Sequence, residues 1–276
     1  MGMRVPAARS PVSPIIRYPG GKQHQLDYLR QFLPSADEVS GTYIEPFVGG
    51  AAVFLSIRPR TALLSDLNHE LIDLYRGIRT APRSVWAAYA AYRTTKREYL
   101  RVRGLEPASL PLPARAARLL YLNRTCFKGN WRHNAKGEFN VGYGGQSRRW
   151  VISEECLCAV SSALRRATIV CGDFEAIVND AANGDYLFLD PPYRRGERDM
   201  THSHYQPRRF SFEDHYRLSD ALRRAKRRGV RWALTTTAHP DVLELFDGFR
   251  VMDLPSRGAS GGCSGEALVL SDRGRR

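Results

Sequence analysis

The stretch that most constrains the fold lies between residues 42 and 78. Thr42-Tyr43-Ile44-Glu45 has strand character and stops at Pro46, Gly49-Gly50 forms a turn, and small apolar residues continue at helical spacing from Ala51 to about Ile57. A second apolar strand, Ala62-Leu63-Leu64, leads to Asp66, and Leu67 to Ile78 is again helical. Strand, glycine turn, helix and a strand ending in an acid is the βαβ order of a nucleotide-binding half, which calls for a parallel sheet covered by helices.

The same rhythm resumes after residue 150. A helix near 153–166 precedes strands Thr168 to Cys171 and Tyr186 to Leu189; a helix around 211–227, a strand Val230 to Leu234 and two strands near 249–254 and 266–271 follow. Upstream, Lys22 to Leu33 has helical spacing and ends at Pro34. Residues 80–150 carry no core strand. They begin as a helical stretch rich in Tyr, Trp and Arg, pass prolines at 107–113 and a helix from Ala114 to Leu122, and end in an irregular loop. That loop interleaves Arg124, Lys128, Arg132, Lys136, Arg148 and Arg149 with Phe127, Trp131, Phe139, Tyr143 and Trp150. The expectation is a disordered, Pro-containing lead-in (1–14), an α/β domain built from 15–76 and 151–276, and a helical, basic insertion at 77–150.

The chain of 276 residues carries 42 Lys+Arg against 28 Asp+Glu, a net charge of +14 that points to a polyanionic partner. A hydrophobic content of 43% excludes a disordered chain. No run approaches the ~18 apolar residues of a membrane span, and Met1 to Pro14 lacks a signal-peptide apolar core, so a cytoplasmic protein is expected. The five cysteines (Cys126, Cys156, Cys158, Cys171, Cys263) are scattered and odd in number, which argues against a disulfide framework. Neither Cys156-x-Cys158 nor His202-x-His204 has partners that would complete a metal site, and no metal is expected. Nothing suggests an association helix, so a monomer is expected.

The chemistry concentrates in three short motifs. The apolar strand Tyr186-Leu187-Phe188-Leu189 runs into Asp190-Pro191-Pro192-Tyr193. Two prolines fix the backbone and remove two donors, presenting a carboxylate, carbonyls and an aromatic ring rigidly at a strand's end. Such a site suits an exocyclic amine, with hydrogens accepted by Asp190 and the Pro191 carbonyl and the base stacked on Tyr193; a bare D-P-P is equally an ordinary turn ending a strand. Glu45-Pro46-Phe47-Val48-Gly49-Gly50 lets backbone approach a ligand, and Asp66, about 20 residues on, is placed to accept from ribose hydroxyls. The motif is not G-x-G-x-x-G and no Lys-Ser grips phosphate, so a nucleoside without phosphates fits best. Tyr18-Pro19-Gly20-Gly21-Lys22 opens the first helix, with a lysine able to reach a carboxylate.

Taken in order, the motifs resemble those of the Dam-type (D12 class) DNA adenine methyltransferases. The matching segments are Arg17 to Lys22, Ile44 to Phe54, Asp66-Leu67-Asn68, Asn123-Arg124-Thr125-Cys126-Phe127-Lys128-Gly129, Arg132 to Gly144 and Asp190 to Tyr193, spread over residues 15–270. The resemblance implies a Rossmann-like, mixed seven-stranded methyltransferase sheet, S-adenosyl-L-methionine as cofactor, and methylation of the exocyclic amine of adenine in double-stranded DNA. It implies that Tyr18 and Lys22 flank the methionine part of the cofactor, that Phe47 and Gly49 line its nucleoside pocket, that Asp66 binds the ribose and that Asp173 reads the adenine amine. Asp190, Pro191, Pro192 and Tyr193 would hold a flipped target base beside the cofactor, for direct in-line transfer.

The loop after residue 123 corresponds to the family's target-recognition region, making Arg124, Phe127, Lys128, Asn130, Arg132, Asn134 and Gly142 candidate DNA contacts. Phe127 is the candidate wedge where the base leaves the stack. Lys128, Asn130-Trp131 and Gly142 depart from the family pattern, and the changes at Asn130 and Gly142 remove apolar contacts suited to a thymine methyl, which argues against GATC as the target although Arg132 is retained. None of the five cysteines follows a proline, which excludes the nucleophile of cytosine carbon-5 methylation. Two other readings share these residues: a silent DNA-binding protein, separated by cofactor binding, and an RNA adenine methyltransferase, separated by comparing duplex DNA with RNA as acceptor.

Overall fold

The structure, a computed structural model, describes residues 12–134, 139–145, 152–192, 210–255 and 263–272. Seven strands form one sheet: β1 (Tyr43–Glu45), β2 (Ala62–Asp66), β3 (Ala167–Cys171), β4 (Tyr186–Leu189), β5 (Arg231–Thr237), β6 (Arg250–Pro255) and β7 (Cys263–Leu270). Their order is β3-β2-β1-β4-β5-β7-β6. The first five are parallel, whereas β7 runs antiparallel between β5 and β6. This is the mixed seven-stranded α/β sheet that the family resemblance implied. Strand order reverses between β1 and β4, so the crevice beyond their carboxyl ends is where an open α/β sheet takes a ligand.

Ten α-helices accompany the sheet among the described residues: α1 (Leu26–Leu29), α2 (Ala52–Ile57), α3 (His69–Thr80), α4 (Pro82–Ala91), α5 (Lys96–Arg103), α6 (Leu112–Thr125), α7 (Glu154–Leu164), α8 (Phe174–Asp180), α9 (Phe212–Arg227) and α10 (Pro240–Glu244). Local chemistry sets their starts. Asn68 and Ser153 cap α3 and α7, and Ser211 and Asp214 form a reciprocal capping box on α9. Proline begins α4 and α10, where a missing N–H costs nothing.

Each face of the sheet has its own apolar core. One packs Leu187, Leu189, Trp232 and Leu234 against α8 and α9; the other joins Tyr43, Leu64 and Phe188 to α3, α6 and α7. Insertion residues Tyr99, Tyr121 and Trp131 belong to this second core. α3 and α6 lie so close that a Cβ on Gly77 would come within 2.7 Å of the Ala116 Cβ. The expected division between residues 76 and 77 therefore falls inside α3, whose residues pack on both parts.

The helix expected over Lys22 to Leu33 is instead a 3₁₀ turn, Lys22–Gln25, followed by the single turn of α1. The break falls at Gln25 (φ −104°, ψ 0°), whose buried side-chain amide reaches across to Glu266 at 2.7 Å. The short α8 and α10 were not anticipated. The loop after α6 contains no named strand among its described residues, only two isolated antiparallel bridges, Cys126 with Tyr143 and His133 with Phe139.

Candidate active site and nucleic-acid interface

β4 ends at Leu189, which places Asp190 and Pro191 at the strand-order reversal. The Asp190 Oδ1 atom receives two donors, the Lys22 ammonium at 2.8 Å and the Thr235 hydroxyl at 2.8 Å. Lys22 is buried and also donates to the Gly20 carbonyl at 2.8 Å, so the Gly-Gly turn and the ion pair fix each other. The structure thus joins two motifs that lie far apart in sequence. Pro191 is buried and Pro192 half-buried at the exit of the strand; Tyr193 lies outside the described residues.

Behind this carboxylate, Glu45 at the end of β1 is fully buried and accepts from the Tyr43 hydroxyl at 2.5 Å. Burial raises its pKa to about 8, with the nearby Asp190 charge acting in the same direction. Glu45 is therefore largely protonated at neutral pH, which lessens the negative charge it places beside Asp190. Nothing in the motif Glu45 to Gly50 marks Glu45 for this position in the sequence alone.

The turn after β1 is held by side chains from two elements, Asp66 of β2 and Tyr75 of α3. The Gly49 N–H donates to Asp66 Oδ2 at 3.1 Å, the Tyr75 hydroxyl donates to the Gly49 carbonyl at 2.7 Å, and the Asn68 N–H donates to Asp66 Oδ1 at 3.0 Å. Gly49 has φ +44°, and a Cβ there would lie 3.0 Å from the Tyr18 ring, so the left-handed turn and the stacked ring both require glycine. Burial pushes the Asp66 carboxyl up to about 6, against the pull of backbone donors from Asn68, Gly49 and Leu67. A carboxylate offers about four acceptor positions; three backbone donors leave room for one more hydroxyl.

Phe47 lies beside this turn against Phe174 (ring centroids 5.3 Å) and Phe210 (5.8 Å). Asp173 caps α8 through the Glu175 N–H at 2.9 Å and pairs with Arg217 at 2.8 Å. It is near the aromatic group, as a base-reading acid would be, but at least one oxygen already serves the helix cap and the ion pair.

The candidate DNA contacts divide by what they touch. Arg124 is half-buried and both its Nε and a terminal nitrogen donate to the Ile15 carbonyl, with burial lowering its pKa. The structure therefore uses it to fasten the N-terminal segment, departing from the surface contact expected. The adjacent Asn123, not singled out earlier, completes that fastening: its Oδ1 accepts from the Arg17 N–H at 2.9 Å and its Nδ2 donates to the Arg17 carbonyl at 2.8 Å.

Phe127, by contrast, is 45% exposed at a tight tip formed by Lys128 (φ +57°) and Gly129 (φ +66°). Lys128 and Asn130 are exposed beside it, and the Gly142 carbonyl accepts from the Phe127 N–H at 2.8 Å. Arg132 is exposed and donates to Asn140 Oδ1 at 2.9 Å, while Asn134 is half-buried. A side chain at Gly142 would meet open space. Lys136, Arg148, Arg149 and the basic segment 194–209 lie outside the described residues.

Two further contacts tie this loop to the rest of the site. Trp131 is fully buried, with its ring 5.3 Å from Tyr18 and 6.4 Å from Phe139. His133 lies 3.1 Å from Glu70, which also takes Arg118 at 2.7 Å and is held below the usual glutamate range by these two partners despite its burial. Burial pushes the Cys126 thiol up to about 12, which rules it out as a nucleophile at neutral pH. Among the described residues no group of three or more His, Cys, Asp or Glu could hold a metal, and no helix is long and apolar enough to cross a membrane.

A family profile described as D12 class N6 adenine-specific DNA methyltransferase matches residues 18–257. A DNA N-6-adenine-methyltransferase of Escherichia phage P1 is 37% identical over 258 residues, covering 91% of this chain and 33% of that protein. The chain thus spans about a third of the length of the phage protein. It matches the Type II methyltransferase M1.LlaDCHI of Lactococcus lactis subsp. cremoris over 90% of this chain and 89% of that one, at 30% identity. A DNA adenine methylase of Vibrio cholerae is likewise 30% identical, over 84% of each chain.

Proposed function

The chain belongs to the D12 class of N6 adenine-specific DNA methyltransferases, and from that premise we propose that it methylates the exocyclic amine of adenine in duplex DNA, site-specifically, with S-adenosyl-L-methionine as donor. The observation that carries the reading is Asp190, fixed at the strand-order reversal by Lys22 and Thr235 and followed by two prolines that hold the backbone. A base amine delivered there meets the Asp190 carboxylate and the Pro191 carbonyl as acceptors for its two hydrogens. The nitrogen lone pair is then directed out of the base plane, and the carboxylate stabilises positive charge developing on nitrogen.

The residues present fit the cofactor. Gly49 closes the turn beneath the Tyr18 ring, Asp66 retains acceptor capacity for a ribose hydroxyl, and Phe47 offers an apolar ring two residues before Gly49. Bound S-adenosylmethionine supplies a methyl group already activated by a sulfonium leaving group. Alignment and charge stabilisation are therefore what the chain must provide, and transfer needs no covalent enzyme intermediate.

A duplex adenine cannot reach Asp190 while stacked, so the base leaves the helix at a cost of a few kcal/mol. Exposed Phe127, on a tip stiffened by two left-handed residues, fills the gap in the stack, while Lys128, Asn130, Arg132, Asn134 and the backbone at Gly142 face the duplex. The net charge of +14 supplies sequence-independent affinity that falls steeply with salt.

The test compares the protein with Asp190→Ala on duplex DNA and on RNA of the same sequence, using labelled cofactor. Transfer to DNA by the parent, abolished in the variant while DNA binding persists, supports the proposal. Transfer to RNA alone, or an active Asp190→Ala protein, refutes it.

A further inference from the structure

Thr235 is buried to 0% exposure in the middle of the mixed sheet, a place where a polar side chain needs a partner. The β4–β5 register pairs Leu189 with Leu234, so Thr235 stands level with Asp190, one residue past the last pair. Its hydroxyl has a single proton and two acceptors within reach, Asp190 Oδ1 at 2.8 Å and the Leu189 carbonyl at 3.4 Å. The shorter contact, to a charged acceptor, takes the proton.

Asp190 Oδ1 thus receives donors from two directions, Thr235 from β5 and Lys22 from the Gly-Gly turn. Two donors on one oxygen fix the rotation of the carboxyl group about its Cβ–Cγ bond, which neither does alone. They differ in stiffness: the lysine stem has four rotatable bonds and relies on the Gly20 carbonyl to hold its end, whereas a β-branched threonine in a central strand is confined at χ1 by its own backbone. We propose that Thr235 is a positioning residue for methyl transfer, setting the rotation of the Asp190 carboxylate so that the target amine meets an acceptor already aimed at it. The inference rests on the reading of Asp190 as the amine's acceptor and adds the residue that orients it.

The experiment compares Thr235→Val, which keeps the shape and removes the hydroxyl, with Thr235→Ser, which keeps the hydroxyl. Single-turnover transfer on a duplex substrate is measured with cofactor and DNA affinities and melting temperature. Thr235→Val should slow transfer about 10-fold or more with both affinities within about twofold of the parent, and Thr235→Ser should stay within about threefold. Should the valine variant fold poorly, Thr235→Ala set against Thr235→Ser makes the same comparison. A valine variant at the parent rate, or valine and serine variants slowed alike, overturns the inference. Asp190→Ala, run in parallel, separates the failures. An active Asp190→Ala protein removes the underlying reading, whereas an inactive one beside a fully active Thr235→Val removes only the role of Thr235.

Discussion

Replacing Asn123 by alanine should weaken cofactor binding far more than its distance along the chain from the cofactor motifs suggests. Asn123 is buried on α6, and its amide occupies both backbone polar groups of Arg17, as a neighbouring strand would. Arg17 immediately precedes Tyr18, whose ring covers Gly49, and lies five residues before Lys22, the partner of Asp190. Two hydrogen bonds at about 0.5–1.5 kcal/mol each, plus a desolvation penalty of about 1–3 kcal/mol if an Arg17 group is left buried without a partner, give about 2–6 kcal/mol. The segment can escape much of that by detaching locally, since most of the core does not depend on it. The melting temperature should therefore fall by only a few degrees, while cofactor affinity falls about 10- to 100-fold because binding must re-dock the segment. Calorimetry with S-adenosylmethionine, together with amide exchange at Arg17 and Tyr18, reads both effects. Unchanged affinity with unchanged exchange protection at Arg17 would refute the argument.

Other expectations follow from the same geometry. Glu45 has a folded pKa of about 8 against about 4.5 for an unperturbed glutamate, so the folded state holds a proton that the unfolded chain releases and stability falls as pH rises through this window. Glu45→Gln should flatten that slope, melting several degrees above the parent at pH values above 8; parallel melting curves for the two proteins would contradict it. Asp66 titrates near 6, so cofactor affinity should fall as pH drops through that value and its carboxylate is lost as an acceptor. Asp66→Asn should bind about 10-fold more weakly and lose this pH dependence, as calorimetry across the range would show. Phe127 is 45% exposed, so Phe127→Ala should melt like the parent yet lose the fluorescence rise of 2-aminopurine placed at the target adenine; a full rise would exclude the wedge.

Much of this arrangement was legible in the sequence where a local rule applied. The apolar run before Asp190-Pro191-Pro192 marks a buried strand with a rigid exit, and Glu45 to Asp66 carries the βαβ order in one continuous stretch. Less legible were groups whose partners are distant: Asn123 and Arg17 are separated by 106 residues, Thr235 and Asp190 by 45. Neither has a spacing signature, and Thr235 in a strand is unremarkable until the register places it beside a carboxylate. The short α8 and α10 lack the several turns over which helical periodicity shows.

Charge was legible in amount but not in use. Arg76, Arg79, Arg118, Arg124 and Arg228 all donate to backbone carbonyls within the fold, at Ile169, Ala167, Val102, Ile15 and Ala181. Part of the +14 therefore ties elements together, and a count of residues cannot separate that part from cations left free to meet a polyanion. Arg124 shows the consequence, since it was expected among the DNA contacts yet fastens the segment that carries Tyr18. Exposed Phe127 and buried Trp131, four residues apart, show the same limit for aromatics.

The most direct measurement incubates the purified protein with duplex DNA and methyl-labelled S-adenosylmethionine, digests the DNA to nucleosides and identifies the labelled product. The account predicts label in N6-methyldeoxyadenosine and none from the Asp190→Ala protein. Label in a methylcytosine nucleoside, or no transfer by a folded protein that binds both cofactor and DNA, would contradict it.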